Sequence, residues 1–516
     1  MNKSILLLPI FVGVSLALGF YFGSKQSVLT EEERKLVNVI NVLEQEYVDT
    51  VDKTNLVETA IQKTLTSLDP HSIYLPADLN KVETEQLRGD FAGVGVKFMM
   101  LADTLVVTNV IKDGPSYLAG IKNGDRILKV DTAMVSGVGF GSADVIDKLK
   151  GPAGTKVDVE VKRGDEFIDK EIIRGIIPIP SVRASFMVDK NTGYIKLDRF
   201  SATSYKEFYI EANKLLRKGM KNLLFDLRGN GGGYLPVACQ IIDEFLEDGK
   251  LIVFTKGRNG IRDKIYSTSR GMLKNIKLSV LIDGESASAS EIVAGAIQDN
   301  DRGLIFGRRS FGKGLVQSPI TLKDNSQIRI TVARYYTPTG RCVQKEYDGN
   351  YENYVMESYD RYTNGELFKL DSSLFVDSLK FTTPEGKVVY GGGGITPDVF
   401  LPYDTTGFSS YYKELSYTNV FSEFSIRFLD KNRKKWSTMP MRNFEREFVV
   451  TDQIYNQFLK FSKEKGVKYI MDQEIKSQQK IKELIKLNIA SNLWDDYGRF
   501  YLLTKTDSDI KRVLNY

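Results

Sequence analysis

Between residues 193 and 300 the chain alternates almost wholly apolar runs with amphipathic ones, and this alternation constrains the fold more than any other feature. The apolar runs include NLLFDL at 222–227 and KLSVLID at 277–283, whereas residues 204–220 have the spacing of an amphipathic helix. A continuously apolar strand has no solvent-facing side, which is typical of a parallel sheet covered on both faces. The sequence therefore predicts an α/β core in which strands and helices alternate.

Changes in composition along the chain divide it into five predicted regions. After an apolar start, residues 30–68 show helical spacing, and short β-rich runs between glycine turns begin near residue 86. Residues 345–390, rich in Tyr, Asp and Asn, indicate an insertion or extended loop, and the sequence beyond residue 405 is mostly helical and charged. The predicted regions are an N-terminal anchor or signal (1–25), a helical N-terminal region (26–85), a β-rich domain (86–166), the α/β core (167–402) and a helical C-terminal region (403–516).

The composition excludes several classes of chemistry. The 516-residue chain has one histidine, His71, and two cysteines, Cys239 and Cys342, too few for a common zinc site or a disulfide framework. Its 71 basic and 66 acidic residues give a net charge of only +5, which makes no case for nucleic acid as a partner. We therefore expect no metal and no cofactor. A Ser-His-Asp triad would have to use His71.

The N-terminus indicates export. Residues 5–22 are uncharged and almost wholly apolar, and Lys3 adds a positive charge in front of them. This run reaches the ~18 residues that suggest a spanning helix, exceeds the roughly 7–15 residues of a signal-peptide core, and is followed by no small-x-small cleavage site. We therefore favour an uncleaved anchor over a cleaved signal. The body of the protein would then lie in the periplasm or a similar extracytoplasmic space, tethered to the inner membrane.

A serine-rich segment and a lysine in a glycine frame offer a nucleophile and a base. The segment SASAS has Ser286, Ser288 and Ser290 among small residues at the start of an apolar helix. The nearby FGKGLVQ holds Lys313, and with a single histidine in the chain a lysine is the obvious remaining base. A lysine acts so only as a neutral amine, which requires its pKa to be lowered from about 10.4 by burial. Gln317 could hold the amine without adding a charge that would raise this pKa again.

The serine segment and a second glycine-rich segment upstream of it each have a simpler explanation. The serines could be helix caps, with Glu291 completing a capping box. The glycine turn FDLRGNGGGY at 225–234 would bring backbone N–H groups close to an oxyanion or a phosphate, but a tight strand-to-helix turn explains it equally well. The P-loop pattern G-x-x-x-x-G-K-[ST] is absent, because Lys313 is followed by Gly314.

Taken together, the motifs resemble the carboxy-terminal processing proteases, also called tail-specific proteases. The matching segments, in the order of the family, are LDPHSIYL (68–75), FAGVGV (91–96), DLRGNGGG (226–233), SASASEIVAGAIQD (286–299), GRRSFGKGLVQ (307–317), ARYYTPTGR (333–341) and GITPD (394–398). The resemblance covers about residues 35–402. It implies a crotonase- or ClpP-like ββα protease core with an inserted PDZ domain at 86–166, and it makes the LDPHS element with His71 structural.

The resemblance also implies roles for individual residues. Ser288, the middle serine, matches the nucleophile of the family, and Lys313 matches its general base. Gln317 matches the residue that orients the lysine. The donors implied for the oxyanion hole are the backbone N–H groups of Ala289 and of either Gly232 or Gly233, between which the sequence does not choose.

The PDZ assignment has a physical basis of its own. PDZ domains bind a terminal carboxylate with backbone N–H groups of a glycine-containing loop, and the bound peptide adds a strand to the edge of the sheet. The segment FAGVGV fits such a loop, and the helix near residues 143–149 would form the other wall of the groove. The predicted peptide-binding residues are Phe91, Gly93, Val94, Gly95 and Val96.

The sequence thus predicts an exported serine endopeptidase with a Ser-Lys dyad, which binds protein substrates by their C-terminal tails and cleaves near that end. A homodimer is left open. Two rival interpretations are a catalytically inactive PDZ scaffold that only binds tails, and a crotonase-type acyl-transfer enzyme that uses an oxyanion hole without a nucleophile. The intact Ser288 and Lys313 argue against the first, and the export segment and PDZ domain argue against the second.

Overall fold

The computed structural model describes residues 29–370 and 375–516. The predicted N-terminal anchor (1–25) lies outside these residues, and within them no helix has both the length and the apolar character needed to cross a membrane. The contacts along the chain divide it into two units, residues 1–74 and residues 75–516.

In the N-terminal unit the described residues form two helices, as their spacing predicts. Each of α1 (Glu31–Glu46) and α2 (Lys53–Thr66) begins at a polar cap. The side chains of Thr30 and Asp52 accept hydrogen bonds from backbone N–H groups in the first turn of the helix that follows. These N–H groups have no partner inside the helix, so the caps determine where each helix begins. The short strand β1 (Ile73–Leu75) comes next in the sequence.

A small antiparallel sheet occupies the region predicted to be a PDZ domain. Its elements and the helix before it are α3 (Ala77–Arg88), β2 (Asp90–Gly93), β3 (Val96–Leu101), β4 (Thr104–Val110), α4 (Pro115–Leu118), β5 (Arg126–Val130), β6 (Ala133–Met134), α5 (Ser142–Leu149), β7 (Lys156–Arg163), β8 (Glu166–Ile173) and β9 (Gly175–Pro178). The strand order is β3-β4-β5-β7-β8, with β6 on β5, while β2 pairs with β9. Apolar residues of β4, β5 and β7 pack with α5 into one buried cluster. Because β3 is an edge strand, it can accept an added strand.

A mostly parallel sheet forms the centre of the second unit. The elements of this core are β10 (Val182–Met187), β11 (Thr192–Leu197), α6 (Ser204–Arg217), β12 (Asn222–Asp226), α7 (Leu235–Asp243), β13 (Leu251–Gly257), β14 (Gly260–Tyr266), β15 (Lys277–Ile282), α8 (Ala289–Asp299), β16 (Leu304–Gly307), β17 (Leu315–Thr321), β18 (Gln327–Tyr336), α9 (Tyr351–Thr363), β19 (Lys380–Thr382), β20 (Val388–Tyr390) and β21 (Val399–Phe400). The central sheet has the order β10-β11-β12-β15-β16-β21, and its strands are parallel except for the edge strand β10, which is antiparallel to β11. In a second, antiparallel sheet β17 and β13 both pair with β18, and β14 pairs with β13. The predicted α/β class is confirmed.

The segment 345–390 contains regular structure where its composition indicates an insertion or extended loop. Asn and Asp favour turns, but Asn350 here caps α9 by accepting two backbone N–H groups of its first turn. Near the end of α9 the buried Arg361 donates hydrogen bonds to three consecutive backbone carbonyls, at 2.8–3.2 Å. These carbonyls belong to Arg309, Ser310 and Phe311, so the inserted helix holds the loop after β16.

Ion pairs strengthen this attachment. Glu357 of α9 lies 3.0 Å from Arg309, 2.7 Å from Arg361 and 3.0 Å from Lys345. Burial opposes ionisation of this carboxyl, but Arg361 and then Lys345 hold the pKa of Glu357 down to about 2. Arg309 also pairs with Glu366 at 2.7 Å. The insertion therefore holds the loop that follows β16 in place.

The central sheet buries a different apolar cluster on each face. Along β12, Leu223 and Phe225 pack into a cluster with α6, α7 and α8, whereas Leu224 points to the opposite face. There it packs with Phe186, Tyr194 and the C-terminal helices. These helices are α10 (Ser410–Tyr417), α11 (Val420–Ser437), α12 (Met441–Glu447), α13 (Asp452–Glu464), α14 (Met471–Thr506) and α15 (Ser508–Leu514). The C-terminal region thus covers the second face of the sheet, as the continuously apolar strands require.

The C-terminal helices also contact the small antiparallel sheet. Ile426 of α11 is buried against Leu101 and Val106 of that sheet. Two ion pairs flank the contact, Lys97–Asp495 at 3.0 Å and Arg126–Asp430 at 3.4 Å. One helical region therefore packs against both the central sheet and the small sheet.

Candidate active site

A cavity of about 1200 Å³ lies beyond the carboxyl ends of two neighbouring parallel strands. The glycine turn follows β12, and the serine-rich segment follows β15. Because these strands are parallel neighbours, the segments after them meet at the same edge of the sheet, where α/β proteins commonly bind their ligands. The residues lining the cleft include Ser288, Ala289, Gly232, Gly233, Lys313, Gln317 and Tyr335. The structure thus brings all the predicted catalytic and oxyanion-hole residues to one cleft.

Ser288 immediately precedes α8 and has a strained backbone. Its φ of 55° and ψ of −111° lie outside the regions that a residue with a side chain normally adopts. Such strain costs about 1–3 kcal/mol and persists only where the surroundings hold it. Gly232 leaves the necessary space, because a Cβ on it would lie 2.8 Å from the Cβ of Ser288. A strained serine at a sharp strand-to-helix turn is an arrangement that exposes a nucleophilic hydroxyl.

The buried carboxylate of Glu291 ties two halves of the site together. Its Oε2 accepts the backbone N–H groups of Ser288 and Lys313, each at 2.8 Å. Its Oε1 accepts the backbone N–H of Gly312 at 2.7 Å and the hydroxyl of Ser310 at 2.6 Å. Burial raises the pKa of Glu291, and the four donors oppose this rise. One carboxylate therefore holds the backbones of both Ser288 and Lys313.

The amine of Lys313 is hydrogen-bonded to Gln317. Its Nζ donates to Oε1 of Gln317 at 2.9 Å. The pairing of β17 with β18 shifts register at Val316–Gln317, and such a bulge re-aims the side chains beside it. The neutral amide oxygen orients the amine without the full negative charge that a carboxylate would add.

Two further residues belong to the site, Tyr335 and Glu291, which the sequence does not assign to it. The hydroxyl of Tyr335 lies 2.6 Å from the carbonyl oxygen of Lys313 and 3.1 Å from that of Ser288. Both residues belong to segments that carry the family resemblance, but the sequence suggests only a capping role for Glu291 and none for Tyr335. Their contacts join residues up to 47 positions apart, which no local pattern reveals.

The glycine turn is held by Asn230 and approaches other backbone closely. The side chain of Asn230 accepts the backbone N–H of Gly232 at 2.9 Å. At Gly233 φ is 143°, and a Cβ there would lie 2.2 Å from the carbonyl oxygen of Phe200, so only glycine fits. Within the described residues the N–H groups of Gly233 and Ala289 donate to no protein acceptor. These two amides are therefore available to a ligand, whereas that of Gly232 is engaged.

Ser286 and Ser290 make structural hydrogen bonds. Both side chains are fully buried, and neither lines the cleft. The hydroxyl of Ser286 donates to the carbonyl of Leu227 at 2.9 Å, and that of Ser290 donates to the carbonyl of Asn230 at 2.8 Å. They fasten the serine-rich segment to the glycine turn, which leaves Ser288 as the serine of this segment that lines the cleft.

The predicted tail-binding loop connects β2 and β3. Phe91 and Gly93 belong to β2, Val96 opens β3, and Gly95 has a φ of 76°. The carbonyls of Val94 and Gly95 accept hydrogen bonds from inside the domain, at 2.9 and 3.0 Å. In the part of the chain that the structure describes, the N–H groups of the same two residues donate to no protein acceptor. The loop thus has free donors next to an edge strand.

The single histidine belongs to the N-terminal unit, whereas the cleft residues named above belong to the second. The backbone N–H of His71 donates to Asp69 at 2.8 Å in the turn of the LDPHS element. Among residues 29–370 and 375–516, no group of His, Cys, Asp and Glu is arranged to hold a metal ion.

Comparison with known proteins matches these regions to families. Residues 191–352, which include Ser288 and Lys313, match peptidase family S41, and residues 92–172 match the PDZ domain. Residues 22–79 match the N-terminal domain of the activating protease CtpB. The C-terminal helices match, over residues 411–495, a family of unknown function, DUF8443.

A curated relative decides the family. The carboxy-terminal-processing protease of Bartonella bacilliformis is 37% identical over 333 residues, which span 62% of this chain and 76% of the relative. The chain belongs to the carboxy-terminal-processing proteases of peptidase family S41. It is therefore a serine-type peptidase with a PDZ domain, and the predicted family and fold class are confirmed.

Further relatives of this S41 peptidase carry similar names. The carboxy-terminal processing protease CtpB of Bacillus subtilis is 29% identical over 368 residues, 70% of this chain and 75% of CtpB. A probable CtpA-like serine protease of Staphylococcus aureus is 32% identical over 313 residues, 60% of this chain and 62% of that protein. Among solved structures, the photosystem II D1 C-terminal processing protease is 25% identical with a TM-score of 0.37, covering 73% of this chain and 95% of that one.

Proposed function

We propose that this S41 peptidase is an exported endopeptidase that binds protein substrates by their C-terminal tails and cleaves near that end with a Ser288–Lys313 dyad. One observation carries the proposal. Ser288, at a strained turn before α8, and Lys313, whose amine is hydrogen-bonded to Gln317, line the same cleft. Transfer of an acyl group from a peptide to a serine hydroxyl needs a base and an oxyanion hole but no cofactor.

In the first step Lys313 is the general base. Its neutral amine takes the proton of the Ser288 hydroxyl while Oγ attacks the scissile carbonyl carbon. The C–N bond of the tetrahedral intermediate then breaks, the lysine ammonium gives its proton to the leaving amine, and an acyl-enzyme remains on Ser288. A water molecule that the same amine deprotonates hydrolyses this ester and restores the serine.

The negative charge of the intermediate needs donors that are already in place. We assign this role to the backbone N–H groups of Ala289 and Gly233, which line the cleft and donate to no protein acceptor among residues 29–370 and 375–516. Ala289 is the first residue of α8, so the positive end of the helix dipole adds to the stabilisation. Gly232 could replace Gly233 only by releasing Asn230.

Tail recognition is assigned to the PDZ domain. The N–H groups of Val94 and Gly95 are suited to a terminal carboxylate, and the open edge of β3 would take the tail as an added strand. The scissile segment must also enter the cleft in extended form. Loosely structured C-terminal tails are therefore the proposed substrates.

The proposal predicts that cleavage depends on a free C-terminal carboxylate. We expect the detergent-solubilised full chain to cleave an unstructured peptide with a kcat/KM at least about tenfold above that of the same peptide amidated at its C-terminus. The reason is that a hydrogen bond to a charged group contributes roughly 1.5–3 kcal/mol, and about 1.4 kcal/mol corresponds to tenfold. Chromatography and mass spectrometry of the products give the rates and the cleavage site.

The two peptides separate the alternatives. Equal cleavage of both would refute tail recognition and retain the protease. Tight binding of the free tail without cleavage of either peptide would support the inactive scaffold instead.

We also propose export and membrane tethering by residues 1–25. The support is the uncharged and mostly apolar run at 5–22. We expect the full chain to remain in the membrane fraction after alkaline extraction and to be digested by protease added to spheroplasts, whereas a chain lacking residues 1–25 should stay in the cytoplasm. A shortened chain in the soluble periplasmic fraction would indicate a cleaved signal.

A further inference from the structure

Two acidic residues near the C-terminus contact the glycine turn of the proposed active site. Asp507 connects α14 to α15, and Asp509 lies in the first turn of α15. Arg228, two residues beyond the end of β12, donates from Nη1 to Oδ2 of Asp507 at 2.9 Å and to Oδ2 of Asp509 at 3.2 Å. Neither aspartate lines the cleft, so neither is positioned to touch a substrate there.

Arg228 is held on its other side by Asp226, the last residue of β12. The Asp226 carboxylate accepts Nη2 of Arg228 at 2.7 Å and the backbone N–H of Arg228 at 3.0 Å. Burial favours the neutral acid, but Arg228 and then Lys196 hold the pKa of Asp226 well below its usual value. The carbonyl oxygen of Arg228 accepts a hydrogen bond from Nζ of Lys196. Both the side chain and the backbone of Arg228 are thus fixed directly before Gly229, the first glycine of the turn.

Asp509 also reaches the loop that carries Lys313. Arg308, the first residue after β16, donates from Nη2 to Oδ2 of Asp509 at 2.8 Å. Its Nη1 donates to the backbone carbonyl of Leu401 at 3.0 Å. One carboxylate oxygen near the end of the chain therefore joins an arginine of the glycine turn to an arginine of the lysine loop.

The network is mostly buried, with Arg228 and Asp507 partly exposed at 17% and 19%, and its charges balance. The side chains of Arg308 and Asp509 are 10% and 7% exposed, and that of Asp226 is 1% exposed. The three aspartates face three cations, which are Arg228, Arg308 and Lys196. Removing one charge from such a network leaves a buried partner uncompensated, so the arginines would have to move or attract water.

We propose that Asp507 and Asp509 are positioning residues for catalysis, which hold the glycine turn and the Lys313 loop in register from the far end of the chain. The inference rests on the proposed dyad and oxyanion hole. A donor stabilises the oxyanion only at hydrogen-bond distance, so a shift of the turn weakens the transition state more than substrate binding. The C-terminal helices then hold the active-site loops in position besides covering the sheet.

Asp507→Asn and Asp509→Asn in the full-length protein test this role. Asparagine keeps the size of the side chain, and at position 507 it also keeps the oxygen that caps α15. We expect kcat to fall roughly 10- to 100-fold in each variant while KM stays within about twofold, because a displacement of about 1 Å can cost about 100-fold in rate. The matched control is Asp472→Asn, at an exposed position in the first turn of α14, which should change neither constant.

The rates are expressed per folded molecule, counted by the stoichiometry of tail-peptide binding to the PDZ domain. An unchanged kcat on this scale would overturn the proposal, even with a lower melting temperature, because the aspartates would then only stabilise the fold. Asp509→Glu keeps the charge and should retain more of kcat than Asp509→Asn; the reverse order would also overturn it. If Asp509→Asn does not fold, the kcat of Asp507→Asn tests the proposal. If the wild-type protein cleaves no peptide, the proposed function itself is refuted. If the wild type is active and the aspartate variants have the same kcat, only the positioning role is refuted.

Discussion

Ser288→Ala is expected to abolish peptide hydrolysis, with kcat at least roughly 10⁴-fold below that of the wild type. Without Oγ no acyl-enzyme can form, and the oxyanion donors alone supply only residual catalysis. The side chain is half-buried at the cleft, and the backbone N–H of Ser288 keeps its hydrogen bond to Glu291, so the fold should survive. Steady-state hydrolysis of the tail peptide and thermal unfolding measure the two effects.

Ser286→Ala and Ser290→Ala are the matched controls. Each removes a buried hydroxyl and its hydrogen bond, which should lower the free energy of unfolding by about 1–3 kcal/mol. Because neither hydroxyl lines the cleft, folded protein of both variants should retain kcat within about tenfold of the wild type. Activity of Ser288→Ala close to that of the wild type would refute the assignment of Ser288 as the nucleophile. An equal loss in all three folded variants would remove the reason for singling out Ser288.

Lys313→Met should be as inactive as Ser288→Ala, since the amine accepts the proton that the serine must lose. Both changes remove the same proton transfer, so the double variant should be no slower than either single variant. The wild-type kcat/KM should rise with pH, because only the unprotonated amine is a base and lowering the pH protonates it. The measurement is a pH profile of the wild type together with kcat for the three variants.

Lys313→Arg removes the base but keeps the positive charge at this position. The guanidinium stays protonated at every accessible pH, so this variant should be inactive although it keeps a positive charge. Lys323→Met, in the exposed turn between β17 and β18, is the control for loss of a lysine and should leave kcat unchanged. Activity of Lys313→Arg close to that of the wild type would contradict the dyad, as would additive losses in the double variant.

Short sequence separations made part of the site predictable. Gln317 follows Lys313 by four residues, so the hydrogen bond between them could be inferred from the motif alone. The serine segment and the glycine turn each follow an apolar strand, and parallel neighbouring strands bring the segments after them to the same edge of a sheet. The choice among the three serines needed either the family resemblance or the observed burial of Ser286 and Ser290.

The contacts that hold the site were not predictable in this way. Tyr335 reaches carbonyl groups 22 and 47 residues away, and Arg361 reaches the lysine loop from a helix in the insertion. Asp509 reaches Arg228 across 281 residues. A local pattern records which side chains are polar, but it does not record which distant backbone or charge they will meet.

The sequence by itself determined the kind of chemistry and the kind of core. Because the chain has a single histidine, a lysine was the obvious base, and the order of the motifs indicated Ser288 and Lys313. The continuously apolar strands required a sheet that is covered on both faces. Only the tertiary structure decided what covers the second face. An apolar residue such as Leu224 must be buried, but its partner depends on the shapes of surfaces that are far apart in sequence. Here that partner is the C-terminal helical region, whose end also brings Asp509 to Arg228 of the glycine turn.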